Sequence, residues 1–373
     1  MKITRVGLAF AMALATLSAQ ASNVTLYGVI DEALSVQHFS YVGDANTTNT
    51  SLKSGQNMGS RWGIKGTEDL GNGLTLGFSL ESGFAVDTGR SLQNDRLFGR
   101  DARLYIEGDR FGLLSFGRMG PIVGGNGPYA RFGRVMSPFS CGWGDLGGTL
   151  QVLSLGYDFI DNAIAYTTPK FNGLDASIQY SFGTDSTKYG DDGIEGKSSV
   201  DRLVSGAIRY ENDTVMIAAG IESINQAQPA ARAKHLDDSI SYNLGGSYKT
   251  SWAKFYAYGQ IFRDYAAAAK TTVFSLPSGV DGWGTMLGAE GPLWGGNLLF
   301  SVGYGDFEGS HASNLTMKTT QVALGYTYKL SKRTTLYSGV NWIKNNYSSD
   351  FEATHPHAIE SEYEWLLGLT HKF

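Results

Sequence analysis

The sequence predicts an all-β protein, a sixteen-stranded antiparallel transmembrane β-barrel. Three observations predict it. Apolar and polar residues alternate with period two from end to end, the connections are alternately short and long, and the composition is rich in Gly and aromatics. Of 373 residues, 49 are Gly, 20 Tyr and 19 Phe, against 8 Pro, a balance that suits strands and tight bends.

The alternation is clearest in residues 74–81, 174–180, 240–248, 322–328 and 367–369. Strict alternation gives each strand one apolar and one polar face. A soluble sandwich shows the same pattern, so the connections decide between the two. Seven short ones centre on 68–73, 108–112, 169–173, 211–214, 250–252, 291–296 and 330–333. Eight long polar ones lie near 37–57, 85–96, 119–150, 184–200, 225–238, 264–281, 307–316 and 346–361. Seven short and eight long connections join sixteen strands. Short turns on one rim and long loops on the other mark an outer-membrane barrel. An even strand count brings both termini to the short-turn rim, where the last strand pairs with the first and leaves no open edge. Phe111, Phe171, Trp252 and Trp294 sit at short turns, where an aromatic girdle at the lipid–water boundary belongs.

Residues 1–21 are expected to be a secretory signal peptide, which leaves the barrel domain at 22–373. Lys2 and Arg5 give a positive start, an apolar run follows from Val6 to Leu17, and Ala19-Gln20-Ala21 is a small-x-small cleavage site. No later stretch approaches 18 consecutive apolar residues, so helical membrane spans are excluded. Cys141 is the single cysteine and cannot form an internal disulfide. A net charge of -5 with no basic block argues against nucleic acid as a partner.

Several segments together carry a family resemblance. They are Val24-Thr25-Leu26-Tyr27-Gly28-Val29-Ile30-Asp31, the stretch Gly59-Ser60-Arg61-Trp62-Gly63-Ile64-Lys65-Gly66 with Glu68-Asp69-Leu70-Gly71, Leu97-Phe98-Gly99-Arg100, residues 111–118, and the ending Gly368-Leu369-Thr370-His371-Lys372-Phe373. The chain resembles the general diffusion porins of Gram-negative bacteria. The resemblance implies a homotrimer in the outer membrane, surrounded by lipid and lipopolysaccharide, that passes small ions and hydrophilic solutes by passive diffusion. It also implies a third long loop folded into the pore, and a terminal Phe373 read by the barrel-assembly machinery.

The third loop also stands out by length. Residues 119–150 form the longest gap between clear strands and hold Pro121 and Pro128. A loop that long is usually functional, and wall side chains alone cannot fill a barrel this wide.

Alternation assigns faces to the charged residues. Trp62, Ile64 and Gly66 fall outward, so Arg61 and Lys65 fall inward. Ala102, Leu104 and Ile106 fall outward, so Asp101, Arg103, Tyr105 and Glu107 fall inward. For this second wall arginine the family motif selects Arg100 and the alternation selects Arg103. The family often has a further inward basic residue after the third loop, and residues 159–162 hold none. The third loop supplies Arg131 and Arg134, flanked by Tyr129 and Phe132, before its one acid, Asp145. Fixed charges at a constriction set a field that a low-dielectric wall concentrates. Arg61, Lys65, Arg100 or Arg103, Arg131 and Arg134 outnumber Asp101, Glu107 and Asp145, so an anion-preferring pore is expected. A cation-preferring or substrate-specific channel is the alternative, and surface loops could also serve an adhesin or phage receptor. Arg118 shares the outward parity of Leu114 and Phe116; an arginine facing lipid is costly, so a subunit contact is expected there, with Asp87 or Asp95 of a neighbour as candidate partners.

Enzymatic activity is not expected. No Gly-x-Ser-x-Gly elbow is present, and His38, His235, His311, His355 and His357 lie in long loops while His371 lies on the outward face of the last strand. No cofactor or metal is expected either: His355 and His357 offer two ligands where a site normally needs three or four.

Overall fold

The computed structural model describes residues 23–124, 126–139, 151–154, 156–185, 200–227, 237–269 and 273–373. The expected signal peptide, Cys141, Asp145 and His235 lie outside the described residues.

Seventeen strand segments form one antiparallel sheet that closes on itself. In chain order they are β1 (Thr25–Tyr41), β2 (Thr47–Ser54), β3 (Arg61–Gly71), β4 (Leu74–Gly83), β5 (Asp101–Gly108), β6 (Gly112–Met119), β7 (Ile160–Thr167), β8 (Leu174–Ser181) and β9 (Arg202–Glu211). There follow β10 (Val215–Asn225), β11 (Ser239–Lys249), β12 (Lys254–Tyr265), β13 (Val280–Leu293), β14 (Gly296–Gly309), β15 (Ala312–Lys329), β16 (Thr334–Tyr347) and β17 (Ile359–Lys372). The segments β2 and β3 both pair with β1, one above the other, so they are two halves of one stave and the barrel has sixteen. The break between them bends inward: the Asn57 amide donates to Asp31 and the Asn57 side chain to Thr370 Oγ1 at 2.9 Å. Closure is the pairing of β1 with β17, from Val29 opposite Lys372 to Tyr41 opposite Ile359.

All seven short connections fall where the sequence places them. Three of them, Asn72-Gly73, Asn172-Gly173 and Trp294-Gly295, have two successive residues at positive φ. Two left-handed residues make the tight hairpin turn that matches strand twist, and Gly takes the second position at no steric cost. Phe111, Phe171, Trp252 and Trp294 are all exposed at this rim.

Two expected long loops prove shorter. β1 and β2 leave only residues 42–46 between them, and β14 and β15 leave only 310 and 311. Strand ends that stand beyond the membrane are polar on both faces, so Thr47-Thr48-Asn49-Thr50 carries no alternation although Thr favours strands. In the last long loop, Ser348 caps a short helix, α1 (Ser349–Thr354), by accepting from the Phe351 amide.

Burial is inverted relative to a soluble domain. Ser115, Gln179, Ser241, Ser301 and Gln321 are buried within the barrel, whereas Leu26, Ile178, Ile208, Leu244, Ile261 and Leu287 are half or more exposed on its outside. An apolar band outward and polar residues inward is what a lipid solvent selects.

Candidate functional site

The described parts of the third connection, between β6 and β7, run along the inner wall. Ile122 donates its amide to Gln179 of β8, and the Tyr129 hydroxyl meets Ser115 Oγ of β6 and the Ala165 carbonyl of β7, both at 2.9 Å. A 3-10 turn at Gly133–Met136 follows, and next to it Phe132 stacks on Tyr258 of β12 with centroids 5.8 Å apart. Phe139 reaches the seam wall, packing with Ala33, Tyr337 and Leu366. Further on, Ser154 donates to Gln260 at 2.9 Å. The core of the protein is this packing of a connection against the inside of its own barrel. Removal from water pushes the Tyr129 hydroxyl up to about 12.

On the wall of β3, β4 and β5 the inward parity assembles a charged cluster. Cross-strand pairs set it: Gly63 opposite Glu81 opposite Asp101, and Lys65 opposite Ser79 opposite Arg103. Glu81 lies between two arginines, with Arg100 Nε at 2.7 Å and Arg61 Nε at 3.2 Å, and also accepts from the Tyr27 hydroxyl at 3.1 Å. Arg103 pairs with Asp101 at 2.9 Å and touches Ser115 Oγ at 3.3 Å, the same hydroxyl that Tyr129 contacts. The aromatic faces of Tyr105 and Tyr27 lie under Arg103 and Lys65 at 4.7 and 5.3 Å.

Arg100 and Arg103 therefore both join the cluster. Arg100 precedes β5, so strand alternation does not bind it, and its guanidinium folds in over Glu81 while Phe159 stacks beneath it at 5.2 Å. Four cations (Arg61, Lys65, Arg100, Arg103) face two acids (Glu81, Asp101), an excess of two positive charges within the cluster, while Glu107, four residues along the same face of β5 from Arg103, stands outside these contacts. Glu81, central to the geometry, follows from the alternation of residues 74–81 but stood outside the sequence-derived set.

Arg131 and Arg134 do not meet that cluster. The Arg131 side chain is 4% exposed and turns to β8, 3.3 Å from Asp175 and 3.0 Å from Ser177 Oγ, and Arg209 of β9 shares Asp175 at 2.7 Å. It anchors the loop rather than lining open lumen. Arg134 is held within the loop by Asn126 at 2.8 Å and by the exposed Asp158 at 3.3 Å. Arg131→Ala should therefore destabilise the barrel by about 1–3 kcal/mol, the cost of charged hydrogen bonds lost from a dry site. Arg134→Ala should cost under about 1 kcal/mol. Heat-modifiability midpoints of the two variants check the order.

A second charged wall runs along the seam. Glu364 accepts from Ser35 at 2.5 Å and pairs with Lys53 at 3.2 Å, Glu362 accepts from Gln37 at 2.8 Å, and Asp31 accepts from Tyr337 at 2.8 Å and from Thr370. The alternation that sends Tyr363 and Trp365 outward sends Glu362 and Glu364 inward, so the signal was there to be read. Glu364 pairs with Gln37, eight residues along β1 from Val29, which pairs with Arg61. At ~3.3 Å per residue that is roughly 26 Å along the strand, several Debye lengths at physiological salt.

Arg118 keeps the outward parity, opposite Ala102. Within its own chain it pairs with Asp161 at 2.5 Å, and Arg96 holds the same Asp161 at 2.8 Å and Asp185 at 2.8 Å. The terminal Phe373 exchanges two backbone hydrogen bonds of 3.1 Å with Gly28, and its ring lies over that glycine. His355 stacks on Phe351 at 4.0 Å while His357 bonds Asp44 at 2.8 Å, so the two histidines serve different contacts.

Comparison with known proteins places this geometry in context. A family model described as Gram-negative porin matches residues 7–348. An outer membrane porin protein of Bordetella pertussis is 30% identical over 352 residues, covering 87% of this chain and 89% of that protein. Outer membrane porin protein 32 of Delftia acidovorans is 29% identical over 359 residues, covering 94% and 91%. Among solved structures, an anion-selective porin from Comamonas acidovorans superposes with a TM-score of 0.69 at 25% identity, covering 94% of this chain and 100% of that one.

Proposed function

Since the chain belongs to the Gram-negative porin family, and is thus an outer-membrane barrel through which ions and small hydrophilic solutes diffuse passively, we propose that its pore prefers anions and is narrowest between the third loop and the wall of Arg61, Lys65, Arg100 and Arg103. The observation that carries this reading is the two-charge excess on that wall, where Tyr129 of the loop and Arg103 of the wall meet the same Ser115 hydroxyl. The similar structure of an anion-selective porin from Comamonas acidovorans supports the same direction. Arg131 and Arg134 contribute by holding the loop. Of the seam acids, Glu362 and Glu364 lie too far along the barrel to offset the wall arginines, because screened charges act over about 8–10 Å, whereas Asp31, two residues along β1 from the partner of Arg61, is committed to Tyr337, Thr370 and the Asn57 amide. The polar lumen carries out passage alone, and we take the protein to catalyse no covalent reaction.

We further take the working unit to be a homotrimer assembled by the barrel-assembly machinery, as the family implies, with the outward patch of Arg96, Arg118 and Asp161 near a subunit contact. Leu97, 67% exposed beside that patch, supplies apolar surface for it. Arg118→Ala should lower the melting temperature of the trimer in unheated detergent gels; an unchanged value would remove Arg118 from the contact.

Reversal potentials across a planar bilayer in a potassium chloride gradient test the main reading, with chloride carrying the larger share of current. Glu81→Gln should raise chloride preference further, because it removes the carboxylate that neutralises Arg61 and Arg100. A wild-type pore that favours potassium would overturn the assignment.

A further inference from the structure

At the long-loop rim three segments distant in sequence bring metal-ligating side chains together. Asp237 lies two residues before β11, Asp264 sits near the end of β12 where the ladder with β13 shifts register, and His311 occupies the tip of the β14–β15 hairpin. Their donor atoms all lie within 4.8 Å of one another, and His311 Nε2 is 3.2 Å from Asp237 Oδ2. Two donors bound to one ion at about 2.0–2.1 Å sit roughly 3.0–3.4 Å apart. The His311–Asp237 pair already has that spacing, and Asp264 needs to close by about 1.5 Å, within the reach of one side-chain rotation.

A second layer holds two of these segments in register. Asp281 of β13 accepts from the Asp264 amide at 2.9 Å and from the hydroxyl of Ser310, the residue before His311. Such outer contacts fix the bearing of first ligands. Asp237, Asp264 and Asp281 bring three carboxylates to one imidazole, a grouping that a shared cation would stabilise.

We propose that His311, Asp237 and Asp264 form a binding site for a divalent transition-metal ion, of the zinc class, at the outer mouth of the barrel. The nitrogen donor sets the class: calcium and magnesium take all-oxygen sets, whereas an imidazole with two carboxylates suits zinc and its neighbours. The His311 and Asp237 side chains are 52% and 69% exposed, which leaves room for entry and for water to complete the coordination. A bound ion would tie three segments of the rim together and add two positive charges where the carboxylates otherwise gather.

The test is zinc titration of the purified full-length protein in detergent by isothermal calorimetry, with heat-modifiable migration checked for each variant. One saturable zinc per chain is expected. His311→Ala and Asp237→Asn, both at exposed positions, should each weaken it by at least about tenfold. His357→Ala should leave it unchanged, and excess calcium should not displace the zinc. Absence of a stoichiometric site, binding that survives His311→Ala, binding lost in His357→Ala, or displacement by calcium would each overturn the proposal.

Discussion

Replacing Arg61 and Arg100 together with Glu will turn the pore from chloride-preferring to potassium-preferring. The wall cluster then changes from an excess of two positive charges to an excess of two negative ones, because Lys65 and Arg103 remain against Glu81, Asp101 and the two new carboxylates. These groups are only partly exposed, so water screens them less than it screens the loop acids. The reversal potential in a potassium chloride gradient should change sign, and the change should shrink in concentrated salt, where the Debye length falls to about 3 Å. Arg131→Glu is the informative contrast. That side chain is buried against Asp175, so the substitution should cost stability and leave selectivity near wild type. A reversal potential that keeps its sign in the Arg61/Arg100 variant would show that the selecting charges lie elsewhere.

Removing Phe373 will reduce folded barrel in the membrane several-fold. The residue closes the seam: its amide donates to the Gly28 carbonyl and its carbonyl accepts from the Gly28 amide, both at 3.1 Å. Each such bond contributes about 1 kcal/mol net, and more where water is excluded. The ring adds a packing term that can be varied separately. A Cβ on Gly28 would lie 2.2 Å from Cζ of Phe373, so Gly28→Leu must push the ring away while keeping the backbone bonds. Deletion should therefore do most harm, with Phe373→Ala and Gly28→Leu each doing less and in the same direction. Normal amounts of heat-modifiable barrel in all three variants would show the seam end to be dispensable. Loss in the Phe373 variants alone would point to recognition of the aromatic terminus during assembly rather than to the contact with Gly28.

The sequence by itself determined the staves, the seven short turns and the face on which Arg61, Lys65, Arg103 and Arg118 fall. Period-two alternation and turn residues are local properties, and a lipid solvent forces them to be written into every strand. The inward acids Glu81, Glu362 and Glu364 were equally legible by the same parity. The ends of β2 and β15 were not, because strands that stand in water on both faces lose the alternation that marks them. Tertiary structure alone decided which charges meet. Glu81 bridges Arg61 and Arg100 because three strands register there, and Arg100, just outside its strand, is free to fold inward where Phe159 supports it. Arg131 and Arg61 are both arginines on or near the lumen, yet one is an anchor and the other a wall charge. The difference rests on Asp175, 44 residues along the chain. Asp237, Asp264 and His311 likewise come together only because the neighbouring strands β11 to β14 bring their rim ends side by side. Contacts between loops depend on distances the barrel sets and leave no periodic trace in the chain.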